Sequence, residues 1–493
     1  MKNNILLKLS KKAYEDSVYG CWIGKNIGGT IGTPYERCRD ELDIKGFSTK
    51  PGEPLPNDDL DLQLVWLYLL EKIGSRALNA RELGKSWLHL IPPNWNEYGI
   101  GKVNMRKGLV PPMSGDYDND WKHSNGAWIR TEIWATLAPA CPDIAAKYAL
   151  EDASVDHGNG EGTMAAIFVA AMQSAAFAVK DVRKCIEIGL SEIPETSRVY
   201  DSVKEVIACY DKGMTRSETR NYIQKRNSDI GTGWFEAPSN VAYAIIGLIY
   251  GEGDFKNSIL YAVNCGDDTD CTAATVGATL GILYGGSKIP EDWKSYIGDE
   301  IITMSVRVDG PGHSMAKSCT ELTKRVIAQA PFFLFDNDAY TEIVDEDVAL
   351  PENVENIVGG YCRFINKSKE LKPLTVSYDT PEFTAWVTVD ESLGVSPEEV
   401  KKVILKVKLN TEVFGEYCLN LNLRWWLADG FEFATPPKKS VRLRNRDYHV
   451  DGTVTVEFLL KAGQNVMPTN KCVLELSVEE GMTDLYIPVS FIG

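Results

Sequence analysis

The sequence predicts two domains of different class in one chain: an all-α body, and after it an all-β, sandwich-like domain. Three patterns carry that prediction. Long apolar segments rich in Ala and Leu, at 60–72, 162–180, 240–250 and 272–284, fill the part before about residue 340. Apolar and polar residues alternate one by one after it. Two segments of the helical part also carry small residues at every fourth position.

The helical elements come first. Gly20, Gly24, Gly28 and Gly32 form one stripe, and Ala273, Gly277, Gly281 and Gly285 form another. Positions four apart share a helix face, and glycine there lets a second backbone approach closely. Each interior glycine lowers helix propensity by roughly 1 kcal/mol, so close helix packing in a buried centre is expected to compensate. In the tail, Tyr417, Leu419, Leu421, Leu423 and Trp425 share one face, with Asn420, Asn422 and Arg424 on the other. Val454, Val456 and Phe458 alternate with Thr455 and Glu457, and Leu474, Leu476 and Val478 with Glu475 and Ser477. Period two means half-buried strands. A tail of roughly 150 residues holds about seven to nine of them, the size of a β-sandwich. The expected domains are residues 1–338 and 352–493. The linker at 339–351 follows Asp336-Asn337-Asp338 and includes Asp345-Glu346-Asp347.

Charge and composition exclude several function classes. The 493 residues carry 52 Lys+Arg against 69 Asp+Glu, a net charge of −17. Without a basic cluster, such a chain repels phosphate backbones, so no nucleic acid polymer is expected as a partner. No stretch reaches the roughly 18 apolar residues of a membrane span. The short apolar run before Lys11-Lys12 is not a secretory signal, so a cytoplasmic protein is expected. The eleven cysteines are scattered without a CxxC pair and read as buried reduced thiols.

Two acidic clusters stand immediately before helices: Asn57-Asp58-Asp59-Leu60-Asp61, and Asp267-Asp268-Thr269-Asp270-Cys271. One N-cap needs one side chain. Two like charges about 4 Å apart repel by on the order of 4 kcal/mol at an effective dielectric near 20. Buried together, these acids need protons or cations, and carboxylates with hydroxyl or carbonyl oxygens suit Mg²⁺, Mn²⁺ or Ca²⁺. Capped, solvated turns are the alternative. The second cluster does not follow the EF-hand pattern. Glu36 follows Pro34-Tyr35 at the end of the first glycine stripe, where it can orient or deprotonate a water. Ser124-Asn125-Gly126-Ala127, followed by Arg130, and His157-Gly158-Asn159-Gly160 are polar turns that can offer backbone N–H groups to an anion.

Taken in order, these five motifs resemble the ADP-ribosylglycohydrolase family, the group that includes the dinitrogenase-reductase-activating glycohydrolases. The resemblance spans about residues 10–300. It implies an all-α fold with two Mg²⁺ or Mn²⁺ ions in a central cleft, and a hydrolase that cleaves an ADP-ribosyl or related ribosyl bond. The substrate it implies is a small molecule or a protein-attached ADP-ribosyl group. In the family's terms Glu36 is the catalytic glutamate, which orients the substrate or activates water. Asn57, Asp58, Asp59, Asp268, Asp270 and Cys271 hold metal, while Ser124, Asn125, Gly126, Ala127, Arg130, His157, Gly158, Asn159 and Gly160 contact substrate. Asn57 and Cys271 replace the family's threonines. A thiol matches Mg²⁺ poorly, so altered metal selectivity, or one ion in place of two, is expected. A non-catalytic binding protein on the same scaffold, or a hydrolase of another sugar glycoside or nucleoside, are the alternatives. The resemblance assigns no role to the β domain.

Overall fold

The computed structural model describes residues 5–307, 314–360, 375–389, 393–410, 418–444, 452–479, 481 and 483–493. Among them, no helix is long and apolar enough to cross a membrane. The chain divides into two compact units, one of residues 1–102 and 115–369, the other of residues 103–114 and 370–493.

The first unit is helical and built around the two striped segments. Helix α1 (Lys11–Gly32) and the Thr269–Tyr284 helix run against each other along their glycines. A methyl group placed on Gly24 would overlap the backbone carbonyl of Gly277, and one on Gly277 would overlap that of Gly24. Gly20 and Gly281 oppose each other in the same way, Gly28 meets Ala273, and Gly32 meets Thr269 and Asp270. The residues pair in opposite order, so the two helices are antiparallel. The Thr269 hydroxyl donates to the Gly32 carbonyl at 2.8 Å and closes this seam at the acidic end. Gly285 lies just past the second helix at φ 86°, a conformation that favours glycine.

The other expected helices form where the apolar runs lie: α2 (Asp58–Ile73), Glu161–Ala175 and Ala237–Tyr250. The unit also contains a two-stranded parallel sheet. Strand β1 (Leu7–Ser10) pairs with β2 (Thr341–Val344), Leu7 opposite Thr341 and Ser10 opposite Val344. Strand β2 lies inside the segment expected to be a linker. The acidic residues flank a four-residue stretch too short to show a period. A helix, Val354–Gly359, follows it.

Among its described residues, the second unit is all-β apart from residues 103–114. Nine strands among the described residues form two antiparallel sheets: β3 (Thr375–Asp379), β4 (Phe383–Val389), β5 (Val400–Leu409), β9 (Val454–Lys461) and β7 (Glu432–Phe433) in one, and β11 (Asp484–Phe491), β10 (Asn470–Val478), β6 (Cys418–Trp426) and β8 (Ser440–Arg444) in the other. Leu419, Leu421 and Leu423 are buried, while Asn420, Asn422 and Arg424 are exposed, as the alternation requires. Tyr417 lies outside the described residues. Trp425 of β6 meets Phe458 of β9 edge to face at 5.3 Å, so the two sheets share a core. Leu109 and Met113 are buried and line a small apolar cavity with Val376, Val387 and Ile487. The ten described cysteines are free thiols, eight of them buried; Cys362 lies outside the described residues.

The seam makes a stability prediction. Gly24→Ala or Gly277→Ala forces a methyl into backbone and is expected to destabilise the protein by roughly 1–3 kcal/mol or more. Gly46→Ala adds a methyl to open space and is expected to change stability by less than about 0.5 kcal/mol. Denaturant unfolding monitored by helical circular dichroism checks both. Equal effects at the two kinds of position would remove the seam from its central place.

Candidate active site

The acidic end of the glycine seam is where the candidate residues meet. Helix α2 starts at Asp58, and its cap Asn57 accepts the Asp59 backbone N–H at 2.8 Å. The Asn57 amide nitrogen lies where a Gly29 side chain would be, so the bare backbone of α1 gives Asn57 its space. The other cluster follows a turn with Gly266 at φ 79° and Asp267 at φ 68°. Asp267 accepts from the Asn240 side-chain amide at 3.2 Å. Two backbone bonds fasten the segment after Glu36 to this turn: Arg37 N–H to the Asp267 carbonyl at 2.8 Å, and Asp267 N–H to the Cys38 carbonyl at 2.7 Å. Glu36 is thereby held beside Asp270.

Electrostatics confirm that these acids share one environment. Burial, with Asp270 and Asp61 adding to it, pushes the Asp58 carboxyl up to about 7. Burial and Asp270 push Glu36 up to about 7 against the opposing Arg37, although the Glu36 side chain keeps 36% of its surface exposed. Asp59, Asp268 and Asp270 are raised as well, each chiefly by burial. Lys25 offsets part of this charge. It is fully buried, 3.9 Å from Asp59 and 3.1 Å from Glu132, and donates to the Ile129 carbonyl at 2.7 Å. Gln63 ties Glu132 to the Asp59 carbonyl at 2.9 and 3.0 Å.

Three carboxylate oxygens of the two clusters, Asp59 Oδ2, Asp61 Oδ1 and Asp270 Oδ1, are buried without a hydrogen-bond partner, although Asp59 Oδ2 faces the Lys25 ammonium at 3.9 Å. A buried carboxylate oxygen left so is costly unless a cation meets it. Asp59, Asp270 and Cys271 present one ligand atom each within 4.8 Å of one another. The donor set therefore fits a divalent cation. Asn57 stands differently, because its side-chain oxygen is engaged in capping α2.

The substrate-binding candidates divide. Asn125 reaches the cluster, donating from its side chain to Asp268 Oδ2 at 2.7 Å. Arg130 is turned to other acids than those of the cluster. It is fully buried, bonds Asp152 at 3.0 Å and Asp156 at 2.8 and 3.1 Å, donates to the Gly126 carbonyl and lies over Trp87. Burial would raise the Asp156 carboxyl, but Arg130 and His157 beside it bring it down to about 2. His157 is also fully buried, its Nδ1 3.0 Å from Asp156 and its Nε2 3.1 Å from the Ser124 hydroxyl. Ser124, His157, Asp156 and Arg130 thus form a brace under the loop that aims Asn125. Ala127 is buried in the core. Gly158, at φ 52°, and Gly160 sit against the backbone of Asp116 and Lys122, while Asn159 is exposed. The sequence reading missed Lys25 and Asn240, and it named Asp267 and Asp61 only as members of the acidic clusters; Asp61 accepts the Met304 and Ser305 N–H groups at 2.7 and 2.6 Å. A lysine alone in an apolar, glycine-striped helix was the available signal for the first.

Residues 10–324 match the family model for ADP-ribosylglycohydrolase. The chain belongs to that family and is a glycohydrolase. Among its relatives is the ADP-ribosylhydrolase ARH3 of Homo sapiens, 23% identical over 333 residues, which covers 56% of this chain and 87% of that protein. The ARH3 of Bos taurus is 23% identical with the same coverage. The ADP-ribosylarginine hydrolase Tri1 of Pseudomonas putida is 23% identical over 293 residues, covering 56% of this chain and 73% of that protein.

The raised carboxyls make a pH prediction. The ordinary Asp value is 3.8, whereas folding raises Asp58 to about 7 and Asp61, chiefly by burial, to about 6. The cation-free folded protein then keeps protons that the unfolded chain has released. The stability these groups contribute is fully present below about pH 4 and is lost as pH rises through about 7. Asp156, shifted the other way, loses its contribution only below the ordinary carboxylate range. With a chelator present, the melting temperature is expected to be lower at about pH 8 than at about pH 5, and a divalent cation is expected to close the gap. A flat profile in chelator would show that the acids do not share a buried site.

Proposed function

We propose that this protein is a metal-dependent hydrolase that cleaves an ADP-ribosyl glycosidic bond in a small molecule or on a protein. The observation that carries the reading is the meeting of Glu36 with Asp58, Asp59, Asp268 and Asp270 at one end of the glycine seam. Family membership and the activities named for ARH3 and Tri1 support the substrate class. The aspartates would hold one or two divalent cations, Mg²⁺ or Mn²⁺. Such ions lower the pKa of bound water and orient phosphate or hydroxyl oxygens.

The chain's own residues do the rest. Glu36, held near neutrality and exposed on one side, is placed to take a proton from an attacking water and to face the positive charge that develops at the anomeric carbon. Tyr98 donates to Asp58 Oδ2 at 3.2 Å and Asn125 to Asp268 Oδ2, so each pair of aspartates has a side chain that fixes its orientation. The brace of Ser124, His157, Asp156 and Arg130 keeps the Asn125 loop in place without touching substrate.

Two experiments test this. Glu36→Gln keeps size and hydrogen-bonding reach; turnover of ADP-ribosyl-arginine or ADP-ribosyl-serine is expected to fall by about 10²–10⁴-fold with Mn²⁺ still bound. Full turnover in that variant would move the base elsewhere. Asp268→Ala with Asp270→Ala is expected to abolish Mn²⁺ binding by calorimetric titration while the helical circular dichroism persists; unchanged affinity would end the metal assignment.

A further inference from the structure

The side chain at position 271 points at the carboxylates rather than into apolar packing. Cys271 follows Asp270 in the first turn of the second seam helix, 5% exposed, with Sγ 3.2 Å from Asp59 Oδ1. The thiol, Asp59 and Asp270 converge within 4.8 Å, and both carboxylates keep an oxygen without a hydrogen-bond partner. A buried thiol that served only as a small hydrophobe would face carbon. This one completes a cluster with Asp59, which also faces Lys25 at 3.9 Å, and Asp270, whose Oδ1 is buried without a hydrogen-bond partner.

Resting on the reading that divalent cations bind among the aspartates, we infer that the position bounded by Asp59, Asp270 and Cys271 takes a thiophilic ion of the Zn²⁺, Co²⁺ or Cd²⁺ class in preference to Mg²⁺. The reason is the chemistry of the donors. Two carboxylates alone would suit a hard ion and hold it through several waters, as Mg²⁺ prefers. A thiolate adds a soft, polarisable donor that binds Zn²⁺ and its neighbours strongly and Mg²⁺ hardly at all. Binding replaces the S–H bond with an S–metal bond and releases the thiol proton to solvent. The seam adds selectivity of its own. Gly32 lies on the backbone of Thr269 and Asp270, so the turn carrying both ligands cannot move outward to admit the water shell of a hydrated hard ion.

The test uses the full chain, stripped of metal, and reads the metal rather than the reaction. Wild-type protein titrated with Co²⁺ is expected to develop a thiolate-to-Co²⁺ charge-transfer band in the near ultraviolet. Calorimetry is expected to give tighter binding of Cd²⁺ than of Mg²⁺. Cys271→Thr, which substitutes a hydroxyl oxygen, is expected to abolish the band. It should weaken Cd²⁺ binding by at least the roughly 10–100-fold that loss of even an outer partner costs a metal site, with Mg²⁺ affinity kept or improved. Cys271→Ser serves the same purpose should the threonine variant melt early, and the wild-type Co²⁺ spectrum needs no variant. Co²⁺ or Mn²⁺ binding without the band, with Cd²⁺ affinity unchanged in both variants, would overturn the inference and leave the metal reading intact. Failure of every divalent ion to bind wild-type protein would overturn both.

Discussion

The packing of backbone on backbone between α1 and the Thr269–Tyr284 helix is the constraint on which the rest of the helical unit depends. Because Gly20, Gly24, Gly28 and Gly32 have no side chains, the two helices meet at a distance no other residue allows. That closeness sets where each helix ends. At the acidic end it brings Gly32 onto Thr269 and Asp270, puts Glu36 one short turn beyond, and leaves Gly29 bare for Asn57 to fill. Three sequence segments from residues 29–38, 57–61 and 266–271 are therefore fixed to one another by contacts that involve almost no side-chain freedom. A site built on such contacts is pre-organised.

The same helix supplies the counter-charge. Lys25 stands on α1 between Gly24 and Gly28, buried, and faces Asp59 and Glu132. Its ammonium would lose by burial, but Glu132 and Asp59 hold it above the usual lysine range. One lysine does not balance Asp58, Asp59, Asp268, Asp270 and Glu132. The Arg130 guanidinium is committed to Asp152 and Asp156. Burial foremost, with Asp270 and Asp61 adding to it, raises the Asp58 carboxyl, and the uncompensated part of the charge is what a divalent cation would meet.

Much of this was legible in the sequence where a pattern was local. Four-residue glycine spacing announced the seam, and alternation announced β6, β9 and β10. Acids in excess of a capping need marked the two clusters that the fold brings together. What was not legible depended on contacts distant in sequence. Arg130 and His157 lie in polar, glycine-containing turns, which is how ligand-binding residues look in sequence. Only the fold shows Asp152 and Asp156 enclosing one and Ser124 receiving the other. Strand β2 pairs with a segment more than three hundred residues away, and four residues carry too little period to signal it. Residues 103–114 join the β unit although nothing in their composition departs from the helical sequence around them.

Magnitudes separate what places the aspartates from what lets them coexist. Asp58 and Asp59 stand in the first turn of α2, with Asp270 in the first turn of the second seam helix and Asp268 at its cap. Free N–H groups and the helix dipole favour anions there by about 0.3–1 kcal/mol each. Repulsion between two of these carboxylates at about 4 Å is on the order of 4 kcal/mol at an effective dielectric near 20. The dipoles explain why acids are tolerated at these two helix starts, and they fall well short of holding the acids together. A flexible site would relieve the difference by spreading apart. This one is pinned by the Thr269–Gly32 bond, the Arg37–Asp267 and Asp267–Cys38 bonds, and helices in backbone contact. Protons or cations are the remaining means of relief, and a divalent cation, unlike a single proton, can meet several of these carboxylates at once.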